Sequence, residues 1–327
     1  MTKELLQNEG LEKIKIDFDF LVSLFKEMLI SVGEKSLAEG LPLDHQNISN
    51  RNDYSNEKLT QAIGICFELL NLAEENSATQ YRRKTETQFG IESTRGSWGE
   101  TLNQWKTEGI DETVMAQKLK DVKVIPVLTA HPTEAKRLTV LDIHRELYLL
   151  LVKKENPNWS TTEQTRLKQE IISLMERWWR TGEIYLQKPR LEDERNNLMY
   201  YFENVFPEAV RLTDQRLHDA WTTLELTPEL LQWPEQYPLI QFGSWVGGDR
   251  DGHPFVTPKF TASTLRLHRK LILNKLHHQL VDIADRLSFS SYLNAIPEEL
   301  LDDIAAQAKI FGEEGQKAVD RNPSEPL

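Results

Sequence analysis

Two short stretches carry side chains that suit chemistry. In VLTAHPTEAKR (127–137) an apolar run ends by presenting His131, and Lys136 and Arg137 follow. A histidine titrates near neutrality, so it can move a proton or, as imidazolium, stabilise an anion. Cations close behind it would suit a phosphorylated or carboxylated substrate. The plainer use of His131 is a strand-end hydrogen bond to nearby backbone, with Lys136 and Arg137 solvated early in a helix. The residues alone specify no reaction.

The second stretch is GSWVGGDRDGHPFVTP (243–258). Four of the chain's 15 glycines fall within its first ten residues. Glycine permits positive φ and a close approach of main chain to a ligand or another segment. Gly247 and Gly248 lead into Asp249, Arg250 and Asp251. Arg250 can serve as an anion ligand, or it can pair with aspartates that cap backbone N–H groups. A scaffold role is the expectation for Asp249 and Asp251. A calcium loop is excluded, because the glycine of DRDG comes fourth rather than sixth and Phe260 stands where the closing glutamate belongs. No HExxH, P-loop or GxSxG pattern occurs, and no metal ligand set is evident.

Composition narrows the classes. The 327 residues carry a formal net charge of −12, which argues against a general nucleic-acid binder. A local cationic pocket remains compatible with that charge. Cys66 is the single cysteine and reads as a small buried hydrophobe, so no intrachain disulfide or cysteine zinc site can form. No stretch approaches the roughly 20 apolar residues that span a bilayer, and the N-terminus lacks an apolar signal core. A cytoplasmic protein is the expectation.

Most of the chain must be helix to hold these stretches in place. Leu21, Leu24, Phe25, Met28, Leu29 and Val32 form one 3.6-residue stripe, and Leu59, Ala62, Ile63, Cys66, Leu69 and Leu70 form another. Residues 76–120 look polar and mixed, which predicts a loop or a loosely helical connector. Helix resumes at LTVLDIHRELYLLLVKK, breaks at NPNWS, and continues along Leu167, Ile171, Leu174, Met175 and Trp178 to end near Gly182. Residues 191–223 are helical in pattern, Thr257-Pro258 opens a long helix, and Pro297 opens the last. By contrast, KVIPVLTA (123–130) and PLIQFGSWVGG (238–248) have the pattern of buried strands. A long helical excursion between them predicts parallel strands of one sheet or barrel, with both polar loops at strand C-termini.

The motif TAHPTE followed by a basic residue and a threonine, together with GSWVGGDRDGHPxVT downstream, resembles phosphoenolpyruvate carboxylase. FELLNLAEE (67–75), WRTGEI (179–184) and PRLEDERNNLMYYFENVFPEAV (189–210) extend the resemblance over roughly residues 60–327. The resemblance implies a mainly α fold carrying the first strands of a helix-rich (β/α)8-type barrel. An N-terminal helical region would span 1–120, and the first part of the barrel 121–327. It further implies formation of oxaloacetate from phosphoenolpyruvate and bicarbonate, through carboxyphosphate and the pyruvate enolate. His131 would be catalytic, Arg137 and Arg250 substrate-binding candidates, and Gly247, Gly248, Asp249 and Asp251 the loop scaffold. Mg2+ or Mn2+, a cytoplasmic location and a homotetramer are implied as well, with no nucleic acid or membrane partner.

The sequence departs from the family pattern in places. Leu138 stands where a second arginine is usual, His253 and Phe255 replace asparagines, and Val246 replaces a methionine. Family enzymes are also much longer, and no FHGRGG-like phosphate loop occurs in this chain. The expectation is an N-terminal portion whose metal ligands lie elsewhere, leaving unpaired strand edges and exposed apolar surface. Two other readings stay open. One is a non-catalytic helical interaction or regulatory protein; the other is a small-anion module built on His131, Arg137 and Arg250.

Overall fold

A computed structural model describes residues 2–41, 55–129, 138–182, 190–250, 254–286, 292–293 and 295–321. The chain divides into two compact units, Met1–Asp249 and Arg250–Leu327. In the first unit, helices α1 (Lys3–Ser31), α2 (Lys35–Glu39), α3 (Asn56–Phe89), α4 (Trp98–Thr107) and α5 (Glu112–Asp121) precede the short strands β1 (Lys123–Val124) and β2 (Val127–Leu128). Helices α6 (Leu138–Lys154), α7 (Thr161–Thr181), α8 (Leu191–Asn204) and α9 (Phe206–Thr223) lead on to β3 (Leu239–Ile240) and β4 (Gly243–Ser244). The second unit holds α10 (Pro258–Arg286) and α11 (Glu298–Arg321).

Helix boundaries follow local chemistry. Ser160 caps α7 reciprocally with Glu163, and Gly182 ends that helix at φ 72°, a backbone state that a side chain would resist. Thr257 accepts from the Phe260 N–H at 3.2 Å and Pro258 occupies the first helical position, as the sequence predicts. The expected stripes bury against one another. Leu21, Phe25 and Met28 of α1 pack with Ile65 and Leu69 of α3, Leu147 of α6, and Ile171, Met175 and Trp178 of α7. A second core joins Leu102 of α4, Met115 and Leu119 of α5, and Leu217 and Trp221 of α9.

Residues 76–120 depart from expectation. They are not a loop, and the helical alternative is more ordered than expected: they continue α3 to Phe89 and then form α4 and α5. The polar composition misleads at the start of the segment, where polar side chains face protein. Asn76 is fully buried and donates to the Asp17 carboxylate at 2.8 Å, and the Ser77 hydroxyl donates to the Gly10 carbonyl at 2.7 Å. The buried face of α3 is accordingly turned from the expected one. Ala62, Ile65, Leu69, Leu72 and Ala73 are buried, while Ile63, Cys66 and Leu70 lie at its margin. Burial still pushes the Cys66 thiol up to about 11, which keeps it protonated and unreactive.

The strand segments pair in parallel, with register Lys123↔Leu239, Val124↔Ile240, Val127↔Gly243 and Leu128↔Ser244. The N–H groups of Leu239, Gln241, Gly243 and Trp245 donate in turn to the carbonyls of Val122, Val124, Pro126 and Leu128, each at 2.9 Å. This is one ladder with constant register, interrupted where Pro126 has no N–H to return. Parallel pairing across the helical excursion agrees with the sequence. Burial does not, because Val124, Val127 and Leu239 are exposed. Among the described residues each strand has one partner, so the apolar side chains lack the second layer that a buried sheet supplies. The fold is helix-rich with few strands.

Asp17 fastens the first core. It is fully buried and receives Lys13 at 2.6 Å, Lys154 at 2.8 Å and Asn76 at 2.8 Å, which ties α1 to α3 and to the end of α6. Burial raises its carboxyl pKa, but the hydrogen bonds from Lys13, Lys154 and Asn76 outweigh burial and hold the group below its ordinary value. A carboxyl depressed in this way stabilises the fold above its unfolded pKa, and that contribution disappears as pH falls through the folded value. Asp17→Ala, which leaves Lys154 without its carboxylate and Lys13 with Glu155 alone, is expected to lower unfolding stability by about 2–3 kcal/mol in urea titrations near neutral pH. Asp17→Asn is expected to flatten the acid limb of the stability–pH curve below the usual carboxylate range of about 4. An unchanged acid limb would count against this account.

Candidate active site at the strand ends

The parallel register decides where the two chemical stretches begin. The Trp245 N–H bonds to the Leu128 carbonyl, so the segment after β2 and the segment after β4 leave from the same end of the ladder. In parallel α/β architectures, loops at strand C-termini gather functional groups from distant parts of a sequence. His131, Arg137 and Asp251 lie outside the described residues. Gly247, Gly248 and Asp249 are described within the first unit, and Arg250 opens the second unit, where it is exposed.

The turn after β4 is built from backbone bonds. The N–H groups of Gly248 and Asp249 both donate to the Trp245 carbonyl at 2.9 Å, and the Val246 N–H donates to the Ser244 hydroxyl at 3.0 Å. Gly247 sits at φ 79° inside this turn, which meets the backbone demand that its glycine signals. Gly243 answers a different demand. A Cβ there would stand 3.2 Å from Cγ2 of Val127, so its absence lets β4 approach β2 closely. The turn buries Val246 and leaves the Trp245 side chain exposed.

An aromatic cluster that the residue chemistry did not single out braces the ladder from the helical side. Phe242, in the link between β3 and β4, stacks on Phe206 with ring centroids 4.3 Å apart and meets Phe202 edge-on at 6.0 Å. Tyr200 on the same helix as Phe202 donates to Asp142 of α6 at 2.9 Å. The signal was present in the run YYFENVF, whose clustered rings serve packing at the start of α9 and the end of α8. These contacts fix the link that aims β4.

A separate cleft of about 460 Å3 lies between α3 and α6, with Glu68, Glu75, His144 and Arg145 among its lining residues. His144 stands 3.7 Å from the Glu68 carboxylate and packs its ring edge-on against Trp178 at 4.4 Å. This arrangement belongs to the helical core rather than to the strand ends. Among the described residues, no group of three or more His, Cys, Asp or Glu side chains could hold a metal ion. Among them also, no helix is long and apolar enough to cross a membrane.

Replacing Gly247 tests the turn directly. Gly247→Ala places a Cβ on a left-handed residue and is expected to lower stability by about 1–2 kcal/mol. Gly248→Ala, where a Cβ would meet only the Trp245 carbonyl at 3.7 Å, is expected to cost less than Gly247→Ala. Equal losses in thermal denaturation would contradict the assignment of strain to position 247.

Comparison with known proteins supplies what the strand ends alone do not. The family model described as phosphoenolpyruvate carboxylase matches residues 23–327. The phosphoenolpyruvate carboxylase of Methylorubrum extorquens is 32% identical over 281 residues, covering 84% of this chain and 30% of the relative. The enzyme of that name from Roseiflexus castenholzii is 31% identical over 268 residues, covering 81% and 28%. One from a Synechococcus strain is 35% identical over 219 residues, covering 65% and 20%. The chain therefore spans at most 30% of the length of these curated relatives. With the family model covering nearly its whole length, the chain belongs to the phosphoenolpyruvate carboxylase family.

Proposed function

We propose that this chain supplies one wall of a phosphoenolpyruvate carboxylase active site, at the C-terminal ends of β2 and β4. The reading is supported above all by the family match across residues 23–327, which includes both motif stretches. The parallel ladder supports it independently, because it starts the segments bearing His131 and Arg250 from neighbouring strands. The relatives' shared name makes a non-catalytic interaction protein the weaker reading.

In this reaction the phosphoryl group passes from phosphoenolpyruvate to a bicarbonate oxygen, giving carboxyphosphate and the enolate of pyruvate. Carboxyphosphate then splits to carbon dioxide and phosphate, and the enolate carbon attacks the carbon dioxide to form oxaloacetate. His131, three residues beyond Leu128, is assigned to stabilising carboxyphosphate and assisting its breakdown, a role that fits a group able to bear charge near neutral pH. Arg137 and Arg250 are assigned to anionic oxygens of the substrate, for which guanidinium geometry is suited. Gly247, Gly248, Asp249 and Asp251 are assigned to holding the loop.

The reaction would require Mg2+ or Mn2+, which neutralises developing charge on oxygen. The described residues do not offer a ligand cluster for such an ion, so its ligands are assigned to the remainder of a family-length enzyme. The barrel, with residues 121–327 as its first part, is likewise a feature of that complete protein, as are the homotetramer and cytoplasmic location.

The test is oxaloacetate formation dependent on bicarbonate and divalent metal in a family-length protein carrying this chain. His131→Asn is expected to reduce turnover by a factor of about 100 or more while leaving thermal stability unchanged. Undiminished turnover in that variant would remove His131 from the mechanism. The 327-residue chain by itself is expected to form no oxaloacetate in the same coupled assay.

A further inference from the structure

The ladder fixes where the segment bearing His131 and Arg137 begins, but that segment also has an end. It runs from Leu128 of β2 to Leu138, the first residue of α6. The placement of α6 relative to β4 is therefore a second constraint on the strand-end chemistry. Different cores hold the two. Val140, Ile143 and Leu147 pack α6 into the core it shares with α1, α3 and α7. Helix α9, which braces β4 through Phe206, packs instead with α4 and α5 through Leu217 and Trp221.

Helix α8 touches both sides. At one face the Tyr200 hydroxyl donates at 2.9 Å to the carboxylate of Asp142, the fifth residue of α6. Tyr200 and Phe202 are two positions apart, so they leave α8 in directions about 160° apart. On the Phe202 side, that ring meets Phe206 edge-on at 5.4 Å and Phe242 edge-on at 6.0 Å. Phe206 stacks on Phe242 at 4.3 Å with the ring planes 10° apart. Phe242 directly precedes Gly243, where β4 starts. A continuous path thus runs from the first turns of α6, across the width of α8, to β4. Burial raises the Tyr200 phenol above its ordinary value and the Asp142 carboxylate raises it further, so the hydroxyl remains a donor at neutral pH.

Building on the proposed function, we propose that Tyr200 is a positioning residue for the carboxylation chemistry. By holding Asp142 it sets the start of α6 at a fixed distance from β4. The far end of the His131 segment and the turn Gly247–Asp249 are thereby kept in one spatial relation. Tyr200 touches no reacting atom. Its effect is on geometry, and a misplacement of about 1 Å arising far from the chemistry costs up to about a hundredfold in rate.

Two measurements test this. In the family-length protein carrying this chain, Tyr200→Phe removes one hydroxyl and is expected to lower kcat at least about tenfold, while KM for phosphoenolpyruvate stays within about twofold. Asp142→Ala is expected to match it, and the double variant to be no worse than either single change, because all three remove one contact. Asp142→Asn keeps an acceptor oxygen for the phenol and is expected to retain most of the turnover. In the 327-residue chain, amide hydrogen exchange reads the same path without activity. Tyr200→Phe is expected to speed exchange at least about threefold at Gly243 and Trp245, whose N–H groups bond across the ladder, as well as near Asp142. A contact serving local packing alone would lower the melting temperature and speed exchange near Asp142 only, with kcat unchanged. That pattern, or additive losses in the double variant, overturns the proposal. If the parent forms no oxaloacetate, the carboxylase reading fails and the kinetic role of Tyr200 fails with it. The exchange measurement then still decides whether the Tyr200–Asp142 contact reaches β4.

Discussion

Four backbone hydrogen bonds, from Leu239, Gln241, Gly243 and Trp245 to Val122, Val124, Pro126 and Leu128, are the constraint on which the arrangement of the first unit depends. They join segments separated by four helices, and parallel strands must be joined by a crossover that returns the chain to its starting end. Closing so long an excursion carries an entropic cost that four bonds near a surface do not offset by themselves. The remainder comes from packing around the ladder. Trp221 and Leu217 of α9 bury against α4 and α5, and Phe206 stacks on Phe242 immediately beside β4. The helices therefore hold the ladder in register, and the ladder in turn brings two distant loops to one end.

Pro126 shows how local chemistry shapes this ladder without dissolving it. Its carbonyl accepts from Gly243, but it has no N–H to give, so the pairing continues on one side and lapses on the other. Gly243 sits opposite Val127 where a Cβ would crowd the valine side chain, and this compensates by letting the strands draw close. Proline and glycine in a strand usually argue against the assignment. Here each has a positional reason, and the constant register across them is the proof that both segments belong to one sheet.

Legibility in the sequence varied with what each side chain faces. Stripes such as Leu21–Phe25–Met28 and Ile171–Met175–Trp178 were readable because apolar residues bury against apolar residues. The order of residues 76–120 was less so, because Asn76 and Ser77 satisfy partners on α1, and a polar residue facing protein looks the same in sequence as one facing water. The strands were readable as strands but not as exposed, since burial depends on a second layer that no single segment reports. At the site, the glycine demand at Gly247 was legible from composition and appears as φ 79°. The roles proposed for His131, Arg137 and Asp251 rest on motif resemblance alone, because a histidine at a strand end serves packing and catalysis equally well on residue type.

The contrast between the two units carries the same lesson into energetics. An isolated helix in water draws little stability from its own hydrogen bonds, because nucleation is costly and most helical stability comes from packing one face. α1, α3, α6 and α7 meet that requirement within the first unit, where Phe25, Leu69, Leu147 and Trp178 share a core. α10 carries the apolar side chains to do the same, and α11 adds Ile310 and Phe311, both largely exposed. The apolar patterning of α10 thus follows the rules of a buried helix while its surface follows those of a solvent-facing one. Local pattern and tertiary environment usually agree in a sequence that specifies its fold by itself. On α10 the two disagree among the described residues, where Leu265, Ile272 and Leu280 are each at least half exposed.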